Sequence, residues 1–250
     1  MPPLPDWEIL AEQDLPAHQQ MALDEVLLER VVAGARAPTL RFWGWIEPTL
    51  VLGSSQSVAN EVDEAAVRRR GFTITRRLSG GGTMLAEPGR TVTWSLYLPA
   101  EVVAGMSFRE SYAYLDAFAV QALRKLGVDA AYRPINDIVS PAGKIAGAAQ
   151  ARRRGALLHH TTLAYSMAPG LLRELIRIGR PSVATRGVRS AAKVVTPVDT
   201  LVPASREELL AALVLEAGGH PGSLEPGELA AAERLAATKY ARPEWIYRIS

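Results

Sequence analysis

The sequence predicts an α+β fold in which a mostly antiparallel sheet is packed with helices. Three features carry that reading. Thr91 to Leu98 alternates strictly, with Val92, Trp94, Leu96 and Leu98 pointing one way and Thr91, Thr93 and Ser95 the other, the mark of a half-buried strand in an antiparallel hairpin. Ala17 to Val32 places Leu23, Val26, Leu27 and Val31 on one face of a helix. Strand-rich blocks and long helices then follow one another without the regular alternation of a parallel sheet. At 250 residues, 48% apolar and 22% charged, the chain has ample material for one large core and is not a disordered or collagen-like sequence.

Trp7 to Leu10 reads as a first strand, ahead of the Ala17–Val32 helix. Leu40 to Ile46 and Thr49 to Gly53 are strand-like, with Glu47-Pro48 at the turn between them. Glu61 to Arg70 is a short helix stopped at Gly71, and Phe72 to Leu78 is a further strand. Ser79-Gly80-Gly81-Gly82 is a loop leading into Thr83 to Glu87, and Pro88-Gly89 is a turn. Ser107 and Glu110 have capping-box spacing and open a helix carrying Tyr112, Leu115, Phe118, Ala119 and Ala122, which ends at Gly127. Short strands run from Val128 to Leu163, interrupted by Pro134 and Pro141-Ala142-Gly143. After Gly170 the chain reads as mainly helical, with helices at Arg206–Leu215 and Pro226–Ala237 joined by the Gly/Pro-rich segment Gly218–Gly222.

Composition narrows the chemistry. There is no cysteine, which excludes disulfides, thiolate-bound metals and a cysteine nucleophile, and fits a reducing compartment. Met1 to Asp6 lacks the basic start and apolar run of a secretory leader, and no apolar stretch is long enough to span a membrane, so a cytoplasmic protein is expected. A net charge of +2 makes no electrostatic case for nucleic acid. Only four of the 28 basic residues are lysines (Lys125, Lys144, Lys193 and Lys239), which draws attention to each of them.

Four segments carry candidate chemistry. In Arg76-Arg77-Leu78-Ser79-Gly80-Gly81-Gly82-Thr83, successive glycines allow positive φ and close backbone approach, and two arginines add fixed charge; the alternative is a flexible turn beside solvated arginines. Asn136-Asp137-Ile138 and Lys144-Ile145-Ala146-Gly147 lie on either side of the Pro141–Gly143 turn. Paired as a hairpin, they would bring a carboxylate and an ammonium to one cleft, or make a surface ion pair. In Leu158-His159-His160-Thr161-Thr162-Leu163, adjacent histidines face opposite sides of a strand, one packed and one exposed. The aromatics of Leu40-Arg41-Phe42-Trp43-Gly44-Trp45 are core residues or the wall of a tunnel for an apolar chain. No G-x-S-x-G elbow occurs.

Taken in order, these blocks resemble the lipoate–protein ligase family, within the group that includes biotin ligases and octanoyltransferases. The resemblance rests on Trp43, the strand Thr49–Gly53, Gln56, the R-R-x-S-G-G-G block Arg76–Gly82, Asn136–Ile138, Gly143–Gly147 and His159–Leu163, and covers Trp7 to Leu201 and a helical tail near Trp245. It implies a single catalytic domain, residues 1–250, of biotin/lipoate-ligase-like fold. It also implies an enzyme that activates lipoate or octanoate with ATP and Mg²⁺ and passes the acyl group to a lysine of a lipoyl-domain acceptor. Such acceptors are the E2 subunits of 2-oxoacid dehydrogenases and the glycine-cleavage H protein.

The site residues follow from the same resemblance. Lys144 would contact the acyl carbonyl and the phosphate. Arg77, Ser79, Gly80, Gly81, Gly82, Thr83, Met84 and Leu85, with Asn136, Asp137, Gly147 and His160, would bind nucleotide and substrate. Asp137 would hold Mg²⁺ and Trp43 would line the acyl pocket. Three departures stand out. Ala86-Glu87 replaces a His-Asp pair common in the family, and the H-H-G-T pattern reads His159-His160-Thr161-Thr162. The chain also stops at Ser250 without room for the accessory domain of many ligases. A separate polypeptide would supply that domain, or this chain activates alone, or it transfers an acyl group from a preformed donor. That last alternative is a lipoyl or octanoyl transferase working without cysteine, since related transferases form an acyl-enzyme on one. A biotin ligase ranks lower because the G-R-G-R-x-G signature is missing, and a non-catalytic acyl-binding module is the remaining class.

Overall fold

The computed structural model describes residues 5–250; the reading of Met1–Asp6 as lacking a secretory leader lies, over Met1–Leu4, outside the described residues. The order of elements is β1 (Glu8–Leu15), α1 (Ala17–Val32), β2 (Thr39–Trp45), β3 (Thr49–Leu52), α2 (Val58–Glu61), α3 (Glu64–Arg70), β4 (Thr73–Arg76), β5 (Met84–Ala86) and β6 (Thr91–Pro99). Then come α4 (Phe108–Leu115), α5 (Ala117–Lys125), β7 (Ala131–Arg133), β8 (Asp137–Ser140), β9 (Gly143–Arg153), β10 (Ala156–Ala164) and α6 (Leu171–Leu175). The chain closes with α7 (Arg206–Ala217), β11 (His220–Gly222), α8 (Glu228–Leu235) and α9 (Pro243–Ile246). Eight strands form one sheet in the order β11-β1-β2-β6-β10-β9-β8-β7, and β4-β3-β5 form a second. In the large sheet the parallel pairings among the described residues are those of β1 with β11 and with β2.

The predicted α+β architecture is present, and so are several local signals. Helix α1 has the bounds its apolar stripe gave, and the Ser107–Glu110 capping box opens α4. Gly71 ends α3 with φ of 68°, a left-handed cap that glycine adopts without strain.

Other expectations are corrected. Strand β6 is buried along almost its whole length rather than on one face. Its apolar row packs under α4, α5 and α7, while Thr93, Ser95 and Tyr97 point beneath α1, where side-chain partners satisfy their hydroxyls. It forms no hairpin with its chain neighbour; it pairs with β2 and β10. Strands β2 and β3 lie in different sheets although only a short turn separates them. The helix read over Glu61–Arg70 is two short helices, and the one ending at Gly127 breaks at Asp116, whose carboxylate turns inward to His159 and Thr161. Residues 177–197 carry almost no helix despite the helical reading after Gly170, and Gly218–Gly222 contains β11. Among the described residues, no helix is long and apolar enough to cross a membrane.

Candidate active site

Register places the site. Residues paired directly across a sheet share a face, and the pairings Trp43–Thr93–Thr162–Gly147–Asp137 run through β2, β6, β10, β9 and β8 as one row. At ~4.8 Å per strand that row is about 19 Å long. From Trp43 to Gly147 it floors a cavity of about 350 Å³, within the range of small-molecule sites. Beside it runs a second row, Arg41–Ser95–His160. The triple-glycine loop and a segment between Val188 and Val195 complete the walls.

At one end, Gly147 faces Asp137. Strict alternation would turn Lys144 to the opposite face, but a bulge after Ile138 makes Lys144 the partner of Val139 and returns its side chain to the face of Asp137. The extra residue, Ile145, goes into the core with Ala146. Lys144 Nζ then lies 2.8 Å from Asp137 Oδ1. A Cβ on Gly147 would sit 2.3 Å from Nζ, so the second glycine of G-K-I-A-G makes room for the ammonium. The first, Gly143, lets β9 meet Val194–Thr196, whose Val194 O and Thr196 Oγ1 would be struck by a Cβ. Burial pulls the Lys144 ammonium below its ordinary pKa against the attraction of Asp137. Burial raises the Asp137 carboxyl, but the charge and hydrogen bond of Lys144, aided by Lys193, hold it below the usual range.

At the other end, Arg77 organises the glycine loop. It donates from Nη1 to Val51 O (3.1 Å), from Nη2 to Gly80 O (2.6 Å) and Gly82 O (2.9 Å), and from Nε to Ser79 Oγ (3.0 Å). It has no carboxylate partner among the described residues, and burial lowers it to about 10. Arg76 does not share this role. Its fully buried guanidinium, also lowered to about 10 by burial, donates to the carbonyls of Gly53, Gln56 and Ile246, tying the chain's end to the loop after β3.

Between the ends lies a hub the sequence reading missed. Asp24, on α1, accepts from Arg41 Nη2 (2.8 Å), Ser95 Oγ (3.0 Å) and Tyr97 OH (2.5 Å) on one oxygen and from His160 Nδ1 (3.0 Å) on the other. A carboxylate only accepts, so Nδ1 carries the proton and His160 Nε2 receives the Ser79 hydroxyl at 2.5 Å. Ser95 also receives Trp43 Nε1 at 3.0 Å. Burial drives the Asp24 carboxyl up, but His160 and Arg41 outweigh it and the group stays below its ordinary value; burial lowers His160 against Asp24. The signal was there: Gln20 and Asp24 sit one turn apart on a buried helix face.

Of the sequence candidates, Trp43, Arg77, Gly81, Gly82, Thr83, Met84, Leu85, Asn136, Lys144, Gly147 and His160 line the cavity. Ser79, Gly80 and Asp137 stand behind its wall and act through His160, Arg77 and Lys144. Both histidines are buried, not one: His159 donates from Nε2 to Asp116 (3.0 Å) on the far face of β10. Asp137 is a buried member of an ion-pair cluster, not half of a surface pair. It does not suit Mg²⁺, because each of its oxygens faces a lysine ammonium, and among the described residues no three acidic, histidine or cysteine side chains converge on a metal position. Lys193, Ser190 and Glu61 were also missed. Ser190 N and Oγ donate to buried Glu61, and Ser190 Oγ accepts from Thr83 N (2.9 Å), which fastens the 188–195 segment to the glycine loop.

Residues 16–217 match the family model of the lipoyl protein ligase A/B catalytic domain. Octanoyltransferase LipM of Kyrpidia tusciae is 34% identical over 97% of this chain and 98% of its own length. LipM of Geobacillus kaustophilus is 29% identical over the same shares. Among solved structures, the bi-partite lipoate protein ligase of Thermoplasma acidophilum covers 98% of this chain and 97% of its own at TM-score 0.81 and 22% identity. Lipoate-protein ligase A bound with ATP covers 98% and 100% at TM-score 0.82 and 24% identity. Those two likenesses establish the fold. The expectation of an ATP-dependent ligase is corrected by the sequence relatives, which are octanoyltransferases over their whole lengths.

Proposed function

The chain belongs to the lipoyl protein ligase A/B catalytic-domain family, and from that premise we propose that it is a cysteine-independent acyltransferase. It moves an octanoyl or lipoyl group from a preformed activated donor to a lysine of a lipoyl-domain acceptor, such as a 2-oxoacid dehydrogenase E2 subunit or the glycine-cleavage H protein. Residues 1–250 act as one catalytic domain. One observation carries the reading: the cavity joins an apolar interior walled by Trp43 and Met84 to the Lys144 ammonium, in a chain with no cysteine to carry the acyl group. Identity to octanoyltransferases along nearly the whole chain supports the reaction class.

The chemistry follows from the site. The acyl chain lies along the sheet row with its carbonyl toward Lys144. The acceptor amine, ordinarily near pKa 10.4, attacks as the neutral base. A C–N bond forms, and negative charge develops on the acyl oxygen. A preorganised ammonium stabilises such an oxyanion far better inside a protein than in water. The bond to the donor's sulfur or phosphate oxygen then breaks, and the departing group takes the amine's proton. Asp137 holds Lys144 in place, and the Asp24–His160–Ser79 chain with Arg77 fixes the glycine loop against the substrate.

Incubation with apo lipoyl domain and an octanoyl thioester of carrier protein, or octanoyl-adenylate, in the absence of ATP tests this. The acceptor should gain one octanoyl group. Acylation from free octanoate and ATP alone, with none from either preformed donor, would overturn it.

A further inference from the structure

Asp137 holds two ammonium groups. Lys144 approaches Oδ1 at 2.8 Å, and Lys193, from the segment that crosses the cavity, donates to Oδ2. Lys193 reaches that position by backbone pairing. Lys144 N donates to Val194 O at 2.9 Å and Thr196 N donates to Lys144 O at 2.8 Å, so the two lysines are presented from adjacent stretches of paired chain. The close approach is open only because Gly143 has no side chain. Both lysines line the cavity, while their shared carboxylate is buried behind it.

We propose that Lys193 is a positioning residue for the acyl transfer: by taking the second oxygen of Asp137 it divides that carboxylate's charge and leaves the Lys144 ammonium available to the acyl oxygen. The inference rests on the role given to Lys144 under the proposed function. With one lysine, Asp137 would form a closed, neutral pair, and the cavity would feel little field from it. With two, the cluster keeps one net positive charge. Arg77 adds another from the glycine loop, and Arg133, exposed on β7, pairs with Asp137 across the sheet and adds positive charge on its face. Arg189, on the same segment as Lys193, is paired with Glu61. An oxyanion forming near Lys144 therefore meets a positive end, and Lys193 acts on it through Asp137.

The test uses the full chain, and the presence of only four lysines makes it practical. With ¹³C,¹⁵N-lysine labelling, the Lys144 ammonium signal is identified by its loss in Lys144→Ala. In Lys193→Ala that signal should shift at fixed pH while those of Lys125 and Lys239 stay, and Lys193→Arg should restore it. In transfer assays Lys193→Ala should lower kcat roughly tenfold, less than the ~10²–10³-fold expected for removing a direct oxyanion donor. KM for the acyl donor should stay within about twofold, and Lys193→Arg should recover most of the rate. Lys193→Gln, closer in length, repeats both readouts should the alanine variant fold poorly. An unmoved Lys144 signal, a loss confined to KM, or no rescue by arginine would each overturn the inference. The two failures are distinguishable: a wild-type protein inactive with every donor overturns the functional reading and this inference with it, whereas an active wild type with an unmoved Lys144 signal in Lys193→Ala overturns this inference alone.

Discussion

Gly147→Ala isolates the demand that the site makes on a single atom's worth of space. A Cβ at this position would sit 2.3 Å from Lys144 Nζ and 2.8 Å from its Cε, whereas ordinary contact begins near 3.4 Å. The ammonium must therefore retreat by about 1 Å. Its backbone has no positive φ to make alanine strained, and the obstacle is the far end of a flexible side chain, so the fold should survive. A misplacement of about 1 Å in a catalytic group costs on the order of 10²-fold in rate. We expect kcat for acyl transfer to fall by about that factor, with a thermal midpoint close to the wild type. In a Lys144→Ala background the same substitution should cost nothing more, because the group it displaces is gone. Initial-rate measurements on the four proteins of this cycle decide the matter. A Gly147→Ala rate within about threefold of wild type, or additive losses in the double variant, would refute the claim that Lys144 works from this position.

Other consequences are open to measurement. Lys144→Ala should lower transfer by ~10²–10³-fold while circular dichroism and thermal unfolding show a folded protein; near-normal turnover would displace it from the mechanism. Asp24→Asn strands a fully buried Arg41 and should cost about 3–5 kcal/mol in urea unfolding; a loss under 1 kcal/mol would mean the hub is dispensable. Arg76→Ala leaves the buried carbonyls of Gln56 and Ile246 without the guanidinium donor, at about 1–3 kcal/mol each, so it should lower stability by about 3 kcal/mol and open residues 245–250 to proteolysis. On pH, His160 is held neutral in the fold below its ordinary value of 6.5. The unfolded chain therefore binds more protons as pH falls below ~6.5, and stability should decline there. The depressed Asp24 and Asp137 carboxyls add stability that is fully present above their unfolded pKa and lost as pH falls through their folded values. Thermal unfolding from pH 7 down to ~2 should show both declines, the carboxylate one below the unfolded value of 3.8, and His160→Gln should flatten the upper one.

How much of this was legible in the sequence depended on the range of the interactions. Periodicity set α1 because one face of a helix is written in consecutive residues, and the capping box set the start of α4. The partner of a strand is not written locally. Nothing near Gly218 announces that three residues add to the edge beside β1, and nothing in Glu47-Pro48 says that β2 and β3 part into two sheets. The polar face of β6 looked solvent-facing because its partners, Asp24 and the indoles of Trp43 and Trp45, come from elsewhere in the chain. The site divides the same way. Motifs of adjacent residues yielded the glycine loop, Asp137 and Lys144. Asp24 was hidden among apolar neighbours, although an acid on the buried stripe of a helix is itself a signal. Lys193 lies in a segment with no periodicity, where the rarity of lysine was the one available pointer. The ligase expectation came from motifs that the whole group shares, and only comparison along the full chain separated transferase from ligase.

The central claim is direct transfer: the acyl group passes from donor to acceptor in one step, on a chain without cysteine. Intact mass spectrometry of enzyme and apo lipoyl domain together, with an octanoyl thioester of carrier protein and no ATP, tests it most directly. An acceptor heavier by one octanoyl group beside an enzyme of unchanged mass is the predicted outcome, and an octanoylated enzyme that then acylates the acceptor would contradict it.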